Sequence, residues 1–392
     1  MTGKHLSRRG ALAAGTGLAV TALGAATGLT GSRARAANGA PREQAVLRAR
    51  ADALRTVSLT PQQQAGQRVI CSYPGLTPPS SLLSQISAGE AAGVIILTQN
   101  VSTPSQVSSA IQQLRQANAQ SPVPAPLLLM TDQEGGEVRR LPGQPTLSEK
   151  QIGEAANPVS AASQAGTGAG QNLAGVGLNV NLAPVLGVYR QAGDFLDQYQ
   201  RSYSMTASTV ASLGSAFITA QQKTGVAATA KHFPGLGAAT ASQNTDNAPV
   251  TLNVPLSSLR GMDELPYPSA ISAGVKLVMV SWAVYPALDA SLPAGLSPTV
   301  VQQELRGRLG FGGVTITDAI EAGALQAYGT SAQRAVSAAA AGMDLILCAA
   351  GDASQGQGVV SALASALQSG QLNQASFTAS VQRVTALRST LS

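Results

Sequence analysis

Histidine is scarce in this chain, and that scarcity limits the chemistry available to it. The 392 residues contain two histidines, His5 and His232. His5 lies in an N-terminal segment that we expect to be removed from the mature protein. His232 would then be the single imidazole left, so any catalytic mechanism that requires two imidazoles is excluded.

Cysteine is also scarce, and the two cysteines do not form a metal-binding pattern. Cys71 and Cys348 show no CxxC pair and no paired Cys/His spacing, so a zinc site is not expected. In an oxidising compartment the two residues can form a disulfide. They can equally remain buried free thiols, and the sequence leaves both interpretations open.

Residues 1–36 have the layout of an export signal. A basic start with Lys4 and Arg8-Arg9 precedes a small-residue apolar stretch, and Ala34-Arg35-Ala36 is typical of a cleavage site. The adjacent arginines favour the twin-arginine route. A retained membrane anchor is the alternative, but the many Gly, Ala and Thr residues make a weak span. We therefore predict a cleaved signal, a secreted or extracytoplasmic protein and no stable membrane insertion afterwards.

Most of the net positive charge lies within that signal. Five of the 25 Lys and Arg residues fall in residues 1–36, which contain no acid, so 20 basic residues face 19 acidic ones in the mature chain. The mature net charge of +1, from 20 minus 19, argues against nucleic acid or an anionic membrane as a partner.

The rest of the chain reads as one domain. No linker or low-complexity segment follows the N-terminal extension, residues 37–55, so we predict a single catalytic-type domain over residues 56–392. Eight short apolar runs alternate there with stretches of helical period, which predicts an α/β fold, a (β/α)8 TIM-type barrel. The runs are Arg68–Tyr73, Gly93–Leu97, Pro126–Thr131, Gly177–Asn181, Val226–Ala230, Lys276–Ser281, Gly313–Thr317 and Met343–Cys348.

Two of the intervening stretches carry specific helix signals. Thr103-Pro104 supplies an N-cap residue and a first-turn proline before a face of apolar residues at helical spacing. The stretch from Val210 to Ala220 repeats that spacing, and Gly225 after it predicts a helix end.

Polar residues follow several predicted strands directly. The carboxyl ends of the strands are where a (β/α)8 barrel builds its active site, so these residues are the site candidates. They are Asp132 in the segment 132–140, Arg201, Lys231, His232, Trp282 and Asp318.

In these segments the chain resembles family 3 glycoside hydrolases, in the single-domain β-N-acetylhexosaminidase branch. The resemblance runs from about Leu59 to the C-terminus and rests on the order of the motifs and their match to strand ends. The motifs are Asp-x-Glu-Gly-Gly-x-Val-x-Arg at 132–140, Asn-Leu-Ala-Pro-Val at 181–185, Lys-His-Phe-Pro-Gly at 231–235, and the segment 305–313 that leads into Thr317-Asp318.

The resemblance implies that Asp318 is the nucleophile of a retaining mechanism. Its carboxylate would attack the anomeric carbon and form a glycosyl-enzyme intermediate. The alternative for Asp318 is a helix N-cap. Since the mechanism needs only side chains and water, the resemblance implies no metal and no organic cofactor.

The resemblance also implies sugar-binding roles for Asp132, Arg201, Lys231 and His232. A carboxylate that faces cationic and imidazole donors suits sugar hydroxyls, which both donate and accept hydrogen bonds. The structural alternative is that Asp132 pairs with Arg201 or Lys231 and fixes the loops.

Three further residues have more open roles. Trp282, the single tryptophan, stands where the family pattern has histidine. Its ring either stacks on the apolar face of a sugar or packs in the core. Glu134 and Arg140 are expected to support the loop rather than contact substrate.

The chain departs from its family after Lys-His-Phe-Pro-Gly, where the branch has an Asp-His dyad that protonates the leaving oxygen. Without a gap, Ser242 and Asn244 occupy the dyad positions, and neither can act as a general acid. With two inserted residues, Asp246 stands at the histidine position, where the charge of Asp318 would favour its protonated form. Asp246 is the provisional acid/base, and an ordinary turn is the alternative.

A second departure is Gly187, where the family usually has an aspartate. It removes a charge beside the predicted site. We expect this change to alter leaving-group or subsite preference more than the fold.

The sequence thus predicts an exported retaining glycoside hydrolase with a carbohydrate substrate, cleaving a terminal β-linked sugar. By resemblance that sugar is N-acetylglucosamine from cell-wall or chitin-type glycans. The alternative is a catalytically impaired carbohydrate-binding protein on a hydrolase barrel, motivated by the loss of both loop histidines. Transfer of the sugar to phosphate or another acceptor also stays open.

Overall fold

The computed structural model of the protein describes residues 59–391. The predicted export signal (residues 1–36) and the N-terminal extension (residues 37–55) lie outside the described residues, so both stay predictions.

Eight parallel strands close into a barrel, which confirms the predicted (β/α)8 fold. The strands are β1 (Val69–Cys71), β2 (Gly93–Ile95), β3 (Leu128–Thr131), β4 (Gln133–Gly135), β5 (Val138–Arg139), β6 (Val180–Asn181), β7 (Ala227–Phe233), β8 (Leu277–Val280), β9 (Val284–Tyr285), β10 (Asp289–Pro293), β11 (Val314–Ala319) and β12 (Leu345–Leu347). The order around the barrel is β1-β12-β11-β8-β7-β6-β3-β2, and the two remaining pairs, β4-β5 and β9-β10, are short antiparallel hairpins.

Each predicted apolar run contains one barrel strand, because a strand buried on both faces has no polar side to interrupt the run. Two strands extend further than their runs. β7 continues past Ala230, so Lys231 and His232 belong to the strand itself. β11 includes Asp318 at its carboxyl end. Lys231, His232 and Asp318 therefore stand on strand backbone, whereas Asp132 directly follows β3 and Arg201 and Asp246 lie on loops.

Helices of several kinds surround the barrel. The α-helices are Pro61–Gly66, Ser80–Ser87, Pro104–Asn118, Glu149–Gly153, Pro158–Val176, Phe195–Gln198, Ala207–Gln222, Leu256–Ser258, Pro266–Ser272, Ser331–Ala341, Ala353–Gln368 and Gln374–Ser389. Short 3-10 helices span Thr98–Asn100, Ala294–Leu296 and Gly323–Tyr328, and π-helices span Leu259–Asp263 and Thr299–Arg308.

The local helix signals are confirmed where they were specific. The Thr103 side chain accepts a hydrogen bond from Gln106 N, and Pro104 opens the helix. The second helix ends at Gln222, before the predicted stop. Gly225 follows three residues later with a φ of 87°, a left-handed conformation that favours glycine.

One end of the barrel is covered. Val384 and Leu387 of the C-terminal helix join the side chains that fill the barrel interior. Arg388 of the same helix donates hydrogen bonds to the carbonyls of Ala125 and Pro126, just before β3. The helix therefore covers the amino-terminal ends of the strands and leaves the carboxyl ends for a site.

The two cysteines lie on neighbouring strands at the seam where β12 meets β1. Ile70 pairs with Leu347, and Cys71 and Cys348 come next along the two strands. Both are buried free thiols. Burial raises the pKa of Cys71 to about 12, so its thiolate is scarce at neutral pH.

None of the helices within residues 59–391 is both long enough and apolar enough to cross a membrane.

Candidate active site

A cavity of about 290 Å³ opens at the carboxyl ends of the barrel strands. Larger surface grooves lie between the outer helices, but they contain none of the predicted site residues. Most of the predicted site residues line the cavity at the strand ends. The ones that do are Asp132, Arg201, Lys231, His232, Asp246 and Asp318.

Asn181, from the Asn-Leu-Ala-Pro-Val motif, orients the segment after β3. Its side chain accepts a hydrogen bond from Gln133 N at 2.9 Å and donates one to Gln133 O at 3.0 Å. With the backbone of Gln133 held between strands, the two neighbouring acids, Asp132 and Glu134, project toward the same cluster of cations. Two of the sequence motifs thus act together because β3 and β6 are adjacent.

Glu134 is the centre of a buried ion-pair cluster. Its carboxylate receives two hydrogen bonds from Arg201, both 2.8 Å, and lies 2.7 Å from the Lys231 ammonium nitrogen. Lys231 also contacts Asp132 Oδ1 at 2.8 Å. Glu134 therefore supports the loop as predicted. The pairing alternative for Asp132 is realised with Lys231, whereas Arg201 pairs with Glu134.

Opposite charges in this cluster shift the pKa values of their partners. Burial would raise the pKa of Glu134, but the positive charges of Arg201 and Lys231 outweigh it and hold that pKa well below its usual range. Burial lowers the pKa of Lys231, but Asp132 and Glu134 more than offset this and raise it. Glu134 and Lys231 therefore each favour the charged form of the other.

Glu149 lies behind the cluster and differs from it. Burial, and then the negative charge of Glu134, raise the pKa of Glu149 well above its usual range. Its Oε1 accepts a hydrogen bond from Val185 N at 2.8 Å. The protonated form of Glu149 is therefore favoured compared with that of an exposed glutamate.

His232 is a neutral side chain beside Asp318. Burial, followed by the charges of Lys231 and Arg201, lowers the pKa of His232 well below its usual value. Its Nε2 lies 3.9 Å from Asp318 Oδ2, too far for a hydrogen bond. A neutral imidazole cannot supply a proton as a general acid, so His232 suits sugar binding rather than proton donation.

Asp318 ends β11 with its carboxyl in the cavity. Its side chain is 17% exposed, and Oδ1 accepts a hydrogen bond from Ala319 N at 2.8 Å. Burial, and then the negative charge of Asp246, raise the pKa of Asp318 to about 7. The helix N-cap alternative is wrong, because the next helical segment begins at Gly323 and Asp318 remains in the strand.

The loop after Lys-His-Phe-Pro-Gly brings Asn244, Thr245 and Asp246 to the cavity wall. Asn244 forms a turn, in which its Oδ1 accepts a hydrogen bond from Asp246 N at 2.9 Å. Ser242 is exposed and does not line the cavity. The geometry favours the alignment that places Asp246 at the missing histidine.

The stacking role for Trp282 does not fit its position. The side chain is 1% exposed and does not line the cavity. Its indole N–H donates to the carbonyl of Ala319 at 2.9 Å, so Trp282 fixes the peptide next to Asp318. Gly295 leaves the space for its ring, since a Cβ there would lie 2.5 Å from it.

Gly187 is explained by packing against Leu196. A Cβ at Gly187 would lie 2.2 Å from Leu196 Cδ1, and Leu196 is fully buried. The space that an aspartate would need is thus filled by an apolar side chain. The loss of charge and the gain of packing occur together.

Glu321 is a cavity residue that the sequence reasoning missed. Its Oε2 accepts hydrogen bonds from Ala349 N at 3.2 Å and Gln355 Nε2 at 3.0 Å. The signal was available, because Glu321 follows Asp318 by three residues at a strand end.

Arg140 also lines the cavity, 3.7 Å from Asp132, so it is not confined to supporting the loop. Among the described residues, no group of His, Cys, Asp or Glu is arranged to bind a metal ion.

The comparisons with known proteins agree on one family. The chain is 47% identical over 331 residues to an uncharacterized secreted glycosyl hydrolase of Arthroderma benhamiae, covering 84% of this chain and 93% of that protein. The solved family 3 β-N-acetylglucosaminidase of Paenibacillus sp. FPU-7 superimposes with a TM-score of 0.80 at 34% identity, covering 85% of this chain and 63% of that one.

A solved β-N-acetylhexosaminidase from Beutenbergia cavernae superimposes with a TM-score of 0.77 at 32% identity, covering 84% of this chain and 99% of that one. Residues 62–387 match the family described as the glycosyl hydrolase family 3 N terminal domain. This chain belongs to glycosyl hydrolase family 3 and is a glycosidase built on a (β/α)8 barrel.

Proposed function

We propose that this glycosidase is exported and removes a terminal β-linked N-acetylglucosamine from cell-wall or chitin-type glycans with retention of configuration. The observation that carries the proposal is the position of the Asp318 carboxyl, which lies in the cavity near the end of β11. Burial and the negative charge of Asp246 raise its pKa. The two solved relatives, named for N-acetylglucosamine or N-acetylhexosamine, support the sugar class.

In the first step the Asp318 carboxylate attacks the anomeric carbon, and the bond to the leaving oxygen breaks. Asp246 gives its proton to that oxygen, so the alcohol leaves uncharged. The step needs one ionised and one protonated carboxyl. Asp318 must be the ionised carboxyl because it attacks, and Asp246 must carry the proton because it donates one.

In the second step the Asp246 carboxylate accepts a proton from water as the water oxygen attacks the anomeric carbon. The bond to Asp318 breaks and its carboxylate is released. The Ala319 N–H, at 2.8 Å from Asp318 Oδ1, stabilises the returning negative charge. Asp246 is then protonated and Asp318 is ionised, as both were before the first step.

Asp132, Lys231, Arg201 and His232 would hold the sugar. The ion pairs of Lys231 with Asp132 and Glu134 leave one wall of the cavity rigid and polar, with donors and acceptors already in place. In the neutral imidazole of His232, one ring nitrogen donates a hydrogen bond and the other accepts one.

The test compares aryl N-acetyl-β-glucosaminides with good and poor leaving groups. Asp318→Asn should abolish turnover of both. Asp246→Asn should spare kcat/KM for the dinitrophenyl glycoside and lower it about 100- to 10,000-fold for a poor leaving group, because a general acid matters when the leaving oxygen is basic. Equal losses for both substrates would refute the acid role of Asp246.

Glu321→Gln is the matched control, since Glu321 is the neighbouring acid in the same cavity. If Glu321→Gln gives the leaving-group dependence and Asp246→Asn does not, the acid is Glu321. Nuclear magnetic resonance of the first-formed product tests retention. Binding of chitin fragments without any product, even from the dinitrophenyl glycoside, would contradict catalysis and favour a carbohydrate-binding protein.

A further inference from the structure

The turn that carries Asp246 is attached to the segment that follows the nucleophile strand. The Gly323 N–H donates to the carbonyl of Asp246 at 2.8 Å, and the Ala324 N–H donates to the carbonyl of Thr245 at 3.0 Å. Thr245 is 4% exposed, so the turn is packed as well as hydrogen-bonded. Asp318 lies only five residues before Gly323. The two carboxyls of the site are thus joined through one short segment.

This attachment requires glycine at position 323. A Cβ there would lie 2.2 Å from Asn247 O, 2.4 Å from Asn247 C and 2.9 Å from Asp246 O. All three are backbone atoms, so no side-chain rotation can relieve the overlap. Any side chain at position 323 would push the Asp246 turn away from the Asp318 segment.

We propose that Gly323 is a positioning residue that sets where the Asp246 carboxyl stands relative to Asp318. The inference rests on the proposed acid/base role of Asp246. It adds that this acid is held in place by two backbone hydrogen bonds and a close backbone contact, rather than brought in by closure of a loop.

The position of the backbone matters here because the side chain of Asp246 is short. The carboxyl of an aspartate is one methylene from the backbone, so a shift of the turn moves the proton donor by nearly the same amount. A displacement of about 1 Å at a reacting group can cost about 100-fold in rate. The loss should fall on proton transfer and not on the attack by Asp318.

The test is Gly323→Ala, with Gly312→Ala as the matched control. Gly312 precedes the same strand, has a φ outside the left-handed region and has no atom within 4 Å of a Cβ built on it. Gly323→Ala should lower kcat/KM about 10- to 100-fold for a poor leaving group and less than about threefold for the dinitrophenyl glycoside. Gly312→Ala should change neither.

The ratio of the two kcat/KM values does not depend on how much of the variant is folded. Azide gives a second measurement, because it attacks the glycosyl-enzyme without needing a general base. It should raise kcat of Gly323→Ala on the dinitrophenyl glycoside and yield a β-glycosyl azide, as in Asp246→Asn.

The outcomes separate this inference from the proposed function. If Asp246→Asn shows the leaving-group dependence and Gly323→Ala does not, Gly323 has no positioning role while the acid assignment stands. Equal losses for both substrates in Gly323→Ala would mean that Asp318 had moved, and would overturn the inference. If Asp246→Asn itself lacks the dependence, the acid assignment fails and the positioning role fails with it.

Discussion

At the scale of single residues, the site depends on two carboxyls that influence each other. Asp318 attacks as a carboxylate, yet burial and the charge of Asp246 raise its pKa to about 7. Activity that depends on ionised Asp318 is therefore present above about pH 7 and is lost as the pH falls below it.

We predict that Asp246→Asn moves this acidic limb to lower pH. Removing the negative charge of Asp246 removes the second cause of the raised pKa of Asp318, while burial remains. With the dinitrophenyl glycoside, kcat/KM of the unaltered enzyme should fall about 30-fold from pH 8 to 5.5, as a pKa of about 7 requires. The variant should fall less than about tenfold. An unchanged limb would show that the two carboxyls do not interact.

Gly187 is the second prediction at this scale. Gly187→Asp should lower the free energy of unfolding by about 2–4 kcal/mol, because it overlaps Leu196 and puts a charge against an apolar side chain. Leu196→Ala should cost about 2–5 kcal/mol alone, since Leu196 is fully buried.

Urea unfolding of both single variants and of the double variant measures the coupling. The double variant should be at least about 1 kcal/mol more stable than the sum of the single losses, because Ala at position 196 makes room for the aspartate. Additive losses would mean that Leu196 is not the reason for glycine at position 187.

At the scale of elements, the segment after β3 and the ends of β6 and β7 form one polar unit. Asn181 holds the backbone of Gln133, and Glu134 joins Lys231 to Arg201. The pKa values of two buried glutamates in this unit are shifted in opposite directions. The charges of Arg201 and Lys231 outweigh burial and lower the pKa of Glu134, whereas burial and the charge of Glu134 raise the pKa of Glu149.

This difference predicts different costs for the same substitution. Glu134→Gln should lower the free energy of unfolding at pH 7 by about 3–5 kcal/mol, because it leaves two buried cations without their shared carboxylate. Glu149→Gln should cost less than about 1 kcal/mol, since an amide resembles the protonated acid in size and charge.

Both residues are 2% exposed, so chemical denaturation of the two variants is a matched comparison. The raised pKa of Glu149 has a further consequence. Its protonated form is favoured in the folded protein, so the stability it contributes is present at low pH and is lost as the pH rises. Glu149→Gln should remove that loss at high pH, and an equal cost for both variants would contradict the assignment.

At the scale of the whole molecule, the closed barrel gathers residues that are far apart in sequence. Asp132 directly follows β3, Lys231 lies on β7 and Asp318 lies on β11. The three residues meet because parallel strands end at one face. The C-terminal helix covers the other face. The fold thus has one open end, and the site is there.

Export is the prediction for the whole chain. Replacement of Arg8 and Arg9 by lysine should retain the protein in the cytoplasm, because a twin-arginine signal is read through both guanidinium groups. Fractionation and N-terminal sequencing of the exported protein would measure this, with a new N-terminus expected near Ala36. Export of the lysine variant at the unaltered rate would rule out the twin-arginine route.

Much of the architecture could be predicted, and particular residues show why. A barrel strand buried on both faces must be apolar throughout, so each of the eight runs located a strand. That Asp318 and Lys231 line one cavity could be predicted because both lie at strand ends, and their role in the site stays a prediction. The N-cap alternative for Asp318 failed because the length of β11 depends on pairing with its neighbours β8 and β12, which periodicity does not record.

The sequence by itself determined the barrel, the family and the loss of the dyad histidine, since these follow from local pattern and residue identity. Only the tertiary structure decided that Trp282 is buried, that Leu196 fills the space beside Gly187, that Glu321 lines the cavity and that the Asp246 turn is attached at Gly323. Leu196 follows Gly187 by only nine residues, and the path of the chain between them decides that contact. The other three depend on contacts between segments distant in the chain. Such contacts exist only after the strands have closed and brought their carboxyl ends together.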